Sequence, residues 1–307
     1  MSSSVFAPPG ESTLGTGLVD EGLPRVRADF DATRRLQGER RTAERIRAHY
    51  LLERQLSDRL RNAHPASRGQ VYGEVYAELF RMLPDHPQNA APRHLERSGR
   101  EAALLRGFLP AGGAFLELGC GDASVCFEVA GKSSTAYGLD VTDALVEHDR
   151  APSNFQFLAT DGVNIPLPAH SVAFAYSNQL MEHLHPEDAE AQLREVFRVL
   201  EPGGKYLCIT PNRLVGPHDV SIFFGYEARG LHLREYDYRS LRSLGLAAGF
   251  RSVEFHVVLK GLAIPLPFAV GAVLEWGLDR VPCSWRGRAA RLRSLQVLMG
   301  INAVMHR

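Results

Sequence analysis

Several features are scarce in this 307-residue chain, and each scarcity excludes a class of function. An excess of charge is lacking, because 35 basic side chains balance 35 acidic ones, although lysine occurs only at positions 132, 205 and 260. A surface without excess positive charge argues against nucleic acid as the obligatory partner, since phosphates must be neutralised. A hydrophobic content of 45% is typical of globular domains and excludes disorder or coiled coil for the whole.

Cysteine is also sparse, and its spacing excludes a zinc-binding pattern. Cys120, Cys126, Cys208 and Cys283 form no closely spaced pair and no cluster with histidine, so we interpret them as reduced thiols. The first residues lack the basic start and continuous apolar run of a secretory signal. No stretch offers the ~18 uncharged apolar residues that a membrane span requires. We therefore predict a cytoplasmic protein, of unknown oligomeric state.

The N-terminal third differs in texture from the rest of the chain. Residues 1–24 are rich in Ser, Gly and Pro without a period, which is typical of a disordered tail. Residues 25–95 carry apolar side chains at helical spacing, and a regular stripe from Tyr72 to Leu83 ends at Pro84. We predict a helical extension whose stripe packs on the domain that follows.

Residues 96–258 alternate short apolar runs with helical segments, as a parallel sheet with crossover helices requires. A helix that begins at Pro186 separates the fourth and fifth runs. The six candidate strands are residues 114–118, 135–140, 155–160, 172–177, 205–210 and 252–258. This alternation predicts an α/β fold with a doubly wound sheet.

The region after the sixth run is unusual in composition. Residues 261–274 contain no charged side chain, and arginines follow at positions 280, 286, 288, 291 and 293. The apolar stretch is too short to cross a bilayer. It favours a buried helical cap. The alternative is an interfacial helix, with weak contact to an anionic membrane surface through residues 261–293.

A glycine-flanked turn carries the strongest chemical signal. The first candidate strand leads into Gly119-Cys120-Gly121 and then into a helix. Two glycines one residue apart let the backbone approach a ligand closely, and the helix start offers N–H groups. Asp140 ends the next strand, where a carboxylate can accept the hydroxyl protons of a ribose. The pattern predicts a site for an adenosine-type cofactor.

Two adenosine cofactors compete for such a site. A dinucleotide needs a third small residue, usually glycine, and room for a pyrophosphate, but the third position here is Ser124. Glu117, just before the turn, would repel a pyrophosphate and attract the cationic amino group and sulfonium of S-adenosylmethionine. We favour S-adenosylmethionine. A dinucleotide-binding NAD(P)-type oxidoreductase and a non-catalytic S-adenosylmethionine-binding protein are the alternatives.

The chain resembles the class I S-adenosylmethionine-dependent methyltransferases in six segments, which occur in the family's order and spacing. They are FLELGCGDAS, YGLDVT, FLATDGVNIPLP, SNQLMEHL, EVFRVLEPGGKYLCITPN and HLREYDYRSLRSLGLAAGF. The resemblance implies a methyltransferase with a Rossmann-like sheet of seven strands, the last antiparallel and inserted beside the sixth. It also implies that residues 300–307 form this last strand, after a helical insertion at residues 259–299.

The resemblance assigns eight positions to the cofactor, all at or near the ends of candidate strands: Glu117, Gly119, Gly121, Asp140, Val141, Asp161, Gly162 and Asn178. The first three would line its methionine and ribose side. Asp140 would hold the ribose hydroxyls, and Val141 would lie against the adenine. Asp161 would meet the adenine amino group, with Gly162 beside it, unless it only forms a turn. Asn178 would close the pocket near the methyl group.

Catalysis by such an enzyme rests on holding the acceptor in line with the methyl group, so a strong base is optional. A neutral histidine would take the proton of an alcohol or phenol acceptor. His183, with Glu182 as its neighbour, is the first candidate, and His232 and Tyr236 come from a later loop. Alternatively, the first pair caps a short helix and the second pair anchors the loop.

No metal ion is predicted. Some methyltransferases that resemble this chain bind a divalent ion through an acid three residues before a Glu-His pair. That position is Gln179 here, and a neutral amide is a poor substitute for a carboxylate ligand.

The acceptor must be recognised outside the shared segments, by the N-terminal extension, the loop at residues 213–233 and the insertion. Phe223, Phe224 and Tyr226 of the loop would cover an acceptor or simply pack. The segment YGEVYAELFRMLPDHP resembles the leader of bacterial methyltransferases that accompany sugar-handling and secondary-metabolite enzymes. We therefore expect a small-molecule acceptor and O-methylation in sugar, glycan or secondary-metabolite biosynthesis.

Overall fold

A computed structural model of the chain describes residues 24–86, 95–259 and 261–307. The tail predicted at residues 1–24 lies, except for its last residue, outside the described residues. The described cysteines are all free thiols, three of them buried.

One sheet organises the molecule, in the order β3-β2-β1-β4-β5-β8-β6-β7. Its strands are β1 Phe115–Leu118, β2 Ala136–Asp140, β3 Phe155–Ala159, β4 Val172–Asn178, β5 Leu200–Thr210, β6 Ser252–Leu259, β7 Leu262–Leu266 and β8 Ile301–His306. Strands β1 to β5 pair in parallel, whereas β8 runs antiparallel between β5 and β6. The α/β fold, the six candidate strands and the antiparallel last strand are confirmed.

Strand β7 is an addition to the predicted seven strands. It lies inside the insertion that the sequence predicted to be helical, and it pairs antiparallel with β6 at the edge of the sheet. Gly261, with a φ of +81°, stands between the two strands. Pro265 lacks a backbone donor, which an edge strand tolerates because one side of it has no partner strand. Short apolar runs do not distinguish strand from helix by periodicity, and this explains the missed strand.

Helices cover the faces and one end of the sheet. The α-helices in the described residues are α1 Phe30–Gln37, α2 Ala43–Asn62, α3 Pro65–Met82, α4 Leu95–Leu105, α5 Ser124–Ala130, α6 Pro186–Val199, α7 Tyr238–Ala247, α8 Phe268–Asp279, α9 Cys283–Ala289 and α10 Arg293–Met299. Short 3₁₀ helices occupy His148–Arg150, Met181–His183 and Val220–Phe223. None of the helices in the described residues combines the length and apolar composition needed to cross a membrane.

The N-terminal helices pack on the sheet. Thr42 caps α2 by accepting a hydrogen bond from the backbone N–H of Arg45. Tyr72, Val75 and Leu79 of α3 are buried in one apolar cluster with residues of β1 and α6. Burial of such side chains contributes about 1.5–3 kcal/mol each for the large aliphatic ones. The extension is therefore part of the main core and reaches the site.

The insertion is only half buried, so the prediction of a buried cap is wrong for its outer face. Helix α8 turns Gly271, Ala272 and Glu275 inward. The Oε1 atom of Glu275 accepts hydrogen bonds from Asn212 Nδ2 at 2.8 Å and from the backbone N–H of Tyr238 at 2.7 Å. These bonds attach α8 to the loop after β5 and to the start of α7, while its opposite face stays exposed.

Candidate functional site

A cleft of about 840 Å³ opens at the carboxyl ends of β1, β2 and β4. In doubly wound sheets, this edge is where ligands bind, because the chain diverges there to opposite faces. Side chains of α2 and α3 and of the loop at residues 213–233 line the other end of the cleft. The cleft thus has one end built by the core strands, here called the turn end, and one built by the added elements, here called the extension end.

The turn end is shaped by the glycines after β1. Gly119 has a φ of +68° and Gly121 a φ of +53°, a backbone region that favours glycine. A Cβ at Gly119 would lie 3.1 Å from Leu180 Cδ1, so a side chain there would be crowded as well as strained. Asp140 Oδ2 accepts a hydrogen bond from the backbone N–H of Gly121 at 2.9 Å. Its Oδ1 accepts one from Val141 at 2.7 Å, which fixes the carboxylate beside the turn.

Glu117 is a buried acid in the wall of the turn end. One oxygen, Oε2, accepts a hydrogen bond from the backbone N–H of Cys126 at 3.2 Å. Burial, together with the nearby carboxylates of Glu101 and Asp122, raises the pKa of Glu117 to about 8. Within the described part of the chain, no cationic side chain forms an ion pair with Glu117. A cationic group of a ligand would therefore find an acid without a partner of opposite charge.

Seven of the eight residues assigned to the cofactor line this cleft: Glu117, Gly119, Gly121, Asp140, Val141, Gly162 and Asn178. Their individual roles stay predictions. Asp161 is the exception. It is exposed, and its Oδ1 accepts hydrogen bonds from the backbone N–H groups of Val163 at 3.0 Å and Asn164 at 2.8 Å. Asp161 therefore closes its own turn, and this placement does not support the predicted contact with adenine.

His183 and His232 lie together where the two ends of the cleft meet. Their ring centroids are 4.8 Å apart and the rings are nearly perpendicular. His183 Nδ1 lies 3.1 Å from the carbonyl oxygen of Leu231, so this nitrogen carries the proton and Nε2 holds the lone pair. Burial, aided by the charge of His232, lowers the pKa of His183 to about 3. His183 is therefore neutral.

His232, unlike His183, is positively charged. Its Nδ1 lies 2.9 Å from Oε1 of Glu235. Burial alone would lower the pKa of His232, but the hydrogen bond to Glu235 and the charge of Glu182 raise it to about 9. Glu235 also accepts a hydrogen bond from the backbone N–H of His218 at 2.7 Å. This bond connects the first part of the loop to the residues that follow its end. His232 is an imidazolium that anchors the loop and lines the cleft.

Glu182 and Tyr236 do not line the cleft. Glu182 is fully buried, its Oε2 accepts a hydrogen bond from Thr210 Oγ1 at 2.9 Å, and burial raises its pKa to about 7. Tyr236 is also fully buried, and its hydroxyl has no hydrogen-bond partner among the described residues. Burial raises the pKa of Tyr236 well above its usual value. These two placements do not support direct contact with a ligand in the cleft: Glu182 lies close to His183 and His232, and Tyr236 belongs to the core. The catalytic roles of all four residues stay predictions.

The extension end contains acidic and basic groups that sequence reasoning missed. Glu53 of α2 is buried, with Oε1 2.7 Å from His49 Nε2 and Oε2 accepting a hydrogen bond from the backbone N–H of Leu231 at 3.2 Å. His86 Nε2 lies 3.9 Å from the same Oε1. Burial would raise the pKa of Glu53, yet the two histidines hold it well below its usual range. The i, i+4 spacing of His49 and Glu53 was the only sequence signal, and it is common on ordinary helices.

Aromatic side chains of the loop at residues 213–233 pack on the N-terminal helices. Phe223 meets Phe30 edge to face at 5.7 Å and lines the cleft, and Phe224 stacks on Tyr50 at 4.2 Å. The guanidinium carbon of Arg27 lies over the ring of Tyr226, 4.0 Å from the ring centroid. Packing is therefore the main role of Phe224 and Tyr226, and only Phe223 covers the cleft.

Among the described residues, two clusters have the ligand types and proximity for a metal ion, each with donor atoms within 4.8 Å of one another. They are His49, Glu53 and His86, and Glu182, His183 and His232. In the first, Arg41 Nη1 lies 3.0 Å from His49 Nδ1, and because a guanidinium only donates, the proton of His49 stays on Nε2, the nitrogen that faces Glu53. In the second, a metal would have to displace a proton from His232, whose pKa is about 9. The absence of a metal stays a prediction.

Comparisons with known proteins agree with this architecture. The sequence profile of the methyltransferase domain family matches residues 116–208, from β1 to β5. A Mycolicibacterium smegmatis protein named as a probable S-adenosylmethionine-dependent methyltransferase is 34% identical over 155 residues, covering 50% of this chain and 58% of that protein. A demethylmenaquinone methyltransferase of a Geobacillus strain is 27% identical over 165 residues, covering 50% of this chain and 68% of that protein.

The chain thus spans little more than half the length of the first relative. Among solved structures, a proposed methyltransferase in complex with the Trm112 methyltransferase activator of Haloferax volcanii superposes with a TM-score of 0.50 at 20% identity. The superposition covers 69% of this chain and 90% of the other, and at this identity it concerns the fold alone. The profile match and the named relatives make residues 116–208 similar to S-adenosylmethionine-dependent methyltransferases, and the strand order is that of a Rossmann-like sheet with one antiparallel strand inserted.

Proposed function

We propose that the protein transfers the methyl group of S-adenosylmethionine to a hydroxyl oxygen of an uncharged small molecule. The observation that carries this proposal is a single cleft whose turn end has the glycine turn, Asp140 and the unpaired acid Glu117, and whose middle holds a neutral histidine. When bound, S-adenosylmethionine supplies an electrophilic methyl group on a positively charged sulfur.

The turn end fits this cofactor in three respects. The glycine turn brings the backbone close to the cleft, at a place where a side chain would be crowded. The carboxylate of Asp140, held at the end of β2, is placed to accept the ribose hydroxyl protons. Glu117 would gain a cationic partner in the amino group of the ligand, which compensates the cost of its burial. A dinucleotide would instead bring a pyrophosphate beside this acid.

The extension end supports a neutral acceptor. Its buried acids already have hydrogen-bond partners, since His49 donates to Glu53 and the imidazolium of His232 meets Glu235. The acceptor hydroxyl would donate to His183 Nε2. His183 Nε2 would take the hydroxyl proton as the acceptor oxygen bonds to the methyl carbon and the electron pair of the carbon–sulfur bond is left on sulfur. The oxygen becomes strongly acidic as this bond forms, so a histidine with a pKa of about 3 suffices.

Transfer to a ring carbon is the second candidate. It is favoured by the relative named as a demethylmenaquinone methyltransferase and by the apolar side chains Tyr76, Phe80 and Phe223 in the cleft. In that case His183 would take the proton from the carbon after the methyl group has arrived. Both candidates use the same cleft and differ in the atom that is methylated.

The test is incubation of the protein with isotopically labelled S-adenosylmethionine and a panel of phenols, glycosides and quinols. Mass spectrometry would find the product that gains a methyl group, and nuclear magnetic resonance would locate it on oxygen or carbon. A labelled methyl ether supports the proposal, and a labelled C-methyl product supports the second candidate. Tight binding of a nicotinamide cofactor, with none of S-adenosylmethionine, would overturn both.

A further inference from the structure

Exposed apolar side chains are concentrated in the insertion between β6 and β8. Of the eleven large apolar side chains that the described residues expose, eight lie between residues 259 and 292. Both tryptophans of the chain are among them, Trp276 at 53% exposure and Trp285 at 65%. We call the group Leu262, Ile264, Val270, Val273, Trp276 and Trp285 the insertion patch. Such a concentration is unusual for a surface that faces only water.

Helix α8 shows that this exposure is organised. Val270, Val273 and Trp276 recur every three residues and so share one side of the helix, opposite the inward Ala272 and Glu275 side. On the adjoining edge strand β7, Leu262 and Ile264 are two residues apart and therefore share one face of the sheet. The helix is thus apolar on both sides, and its outer side has no partner within the described chain.

In the described part of the insertion, the exposed charged side chains without an ion pair are all arginines. Arg280 lies over the ring of Trp276, 3.7 Å from the centroid, and Arg288 and Arg293 are exposed with no acidic partner in the described residues. The two acids of this region are occupied, because Glu275 is buried in hydrogen bonds and Asp279 pairs with arginines. An apolar face that carries tryptophan and arginine, without free acids, matches the interface of an anionic bilayer.

The same charges disfavour a second copy of this chain as the occupant. A two-fold interface places identical surfaces against each other, so the arginines of the two copies would approach one another. Like charges at short range repel, and the two acids of this region, Glu275 and Asp279, are already engaged within the chain. A bilayer of anionic lipids offers both the apolar interior and the negative surface that the patch needs.

We infer that the insertion patch docks the protein on an anionic membrane surface, with Val270, Val273 and Trp276 in the interfacial layer and the arginines at the headgroups. Helix α9 carries this contact towards the cleft, since a Cβ at Gly287 would lie 3.1 Å from the Tyr226 ring of the loop at residues 213–233. The docked surface therefore adjoins a loop that lines the extension end. The inference concerns lipid binding and does not depend on methyl transfer.

The experiment uses the full chain and its only two tryptophans as reporters. Vesicles of phosphatidylcholine with phosphatidylglycerol are compared with phosphatidylcholine alone, at low and high salt, by co-sedimentation and tryptophan emission. We expect binding to the anionic vesicles at low salt, a blue shift of the emission, and quenching when the lipid chains are brominated. Salt should weaken binding, because the arginine contribution is electrostatic.

Two double variants separate the apolar and electrostatic parts. Val273→Gln with Trp276→Gln should weaken vesicle binding by roughly tenfold or more, and Trp285 then remains as reporter. Arg288→Gln with Arg293→Gln should weaken it by roughly fivefold for each arginine. The matched control is Met82→Gln with Arg106→Gln, an exposed apolar residue and an exposed arginine elsewhere, which should bind as the original chain does. All variants should retain S-adenosylmethionine affinity, which shows that they fold.

Three outcomes would overturn the inference. The first is no binding of the original chain to anionic vesicles at low salt. The second is an equal loss in the control variant. The third is a dimer, seen by light scattering, that the Val273→Gln and Trp276→Gln pair dissociates while vesicles are ignored. Because the variants are distant from the turn end, failure here leaves the proposed methyl transfer untouched.

Discussion

The two ends of the cleft handle buried charge in opposite ways. At the turn end, Glu117 is buried without a cationic partner among the described residues, and its raised pKa records that cost. At the extension end, Glu53 and Glu235 are buried beside histidines, and the pKa of each lies below its usual value. A protein that leaves an acid uncompensated is prepared for a cationic ligand, whereas a compensated network suits a neutral one.

The two ends also differ in how they are assembled. The turn end comes from residues at the tips of neighbouring strands, linked by short-range hydrogen bonds such as that between Gly121 and Asp140. The extension end depends on a contact between α2 and the loop at residues 213–233, in which Glu53 meets the N–H of Leu231, 178 positions away. Because the turn end and the extension end are built from separate elements, the extension end can vary while the turn end is kept.

The largest effect is expected where the two ends meet. Replacing His183 with Ala should lower kcat by roughly 100-fold to 10,000-fold, the usual contribution of a positioned base. Its affinity for S-adenosylmethionine should not change, because the turn end is intact. Steady-state kinetics with the identified acceptor and calorimetry with the cofactor measure the two quantities. His148→Ala, an exposed histidine, is the control. Equal activity of His183→Ala and the original chain would reduce His183 to a structural role.

The second largest effect is expected at the turn end and concerns cofactor affinity alone. Replacing Asp140 with Ala should weaken S-adenosylmethionine binding by roughly 2–3 kcal/mol, about 30-fold to 150-fold in Kd, if its carboxylate accepts hydrogen bonds from the ribose. Calorimetry measures the change. Asp143→Ala, an exposed acid in the same loop region, should bind normally. Unchanged affinity of the Asp140 variant would refute the assignment.

A smaller effect tests the unpaired acid directly. In the free protein, Glu117 is protonated below about pH 8. A cationic ligand would lower this pKa, so binding should release a proton, and affinity should rise with pH up to about 8 by at most about tenfold per unit. Calorimetry at about pH 6.5, where an α-amino group is still charged, in two buffers of different ionisation enthalpy counts the protons. Glu117→Gln should abolish the release, and a release that persists in this variant contradicts the role of Glu117.

Sequence reasoning reached the parts that depend on local rules. Strands, the glycine turn and the acid at the end of β2 follow from periodicity and from backbone limits that neighbouring residues impose. The position of Asp161 does not support its predicted role, because an aspartate in a turn can bind its own loop amides as well as a ligand. The position of Tyr236 could not be predicted, because its burial depends on how distant elements pack.

The residues that were missed share a different cause. Glu53 enters the cleft because α2 docks against the loop at residues 213–233, and His86 because it packs on His49 of the same helix. No local pattern encodes these contacts. The exposure of one side of α8 could not be predicted for the same reason. An uncharged segment is expected to be buried unless the elements that pack against it are known. The need to know long-range contacts therefore limited the prediction of the extension end much more than that of the turn end.

The smallest expected effect is that of metal removal. It tests whether the cluster of Glu182, His183 and His232 carries a proton or binds a metal ion. Glu182, His183 and His232 lie close enough to share a cation, and at neutral pH the proton of His232 already supplies a positive charge there. Because the pKa of His232 is about 9, a metal would have to displace that proton below this pH. A chelator should therefore leave activity unchanged, and elemental analysis should find no stoichiometric metal. Activity lost to a chelator, restored by a divalent ion and absent in His232→Gln would instead make this cluster a metal centre, with the imidazolium only the metal-free form.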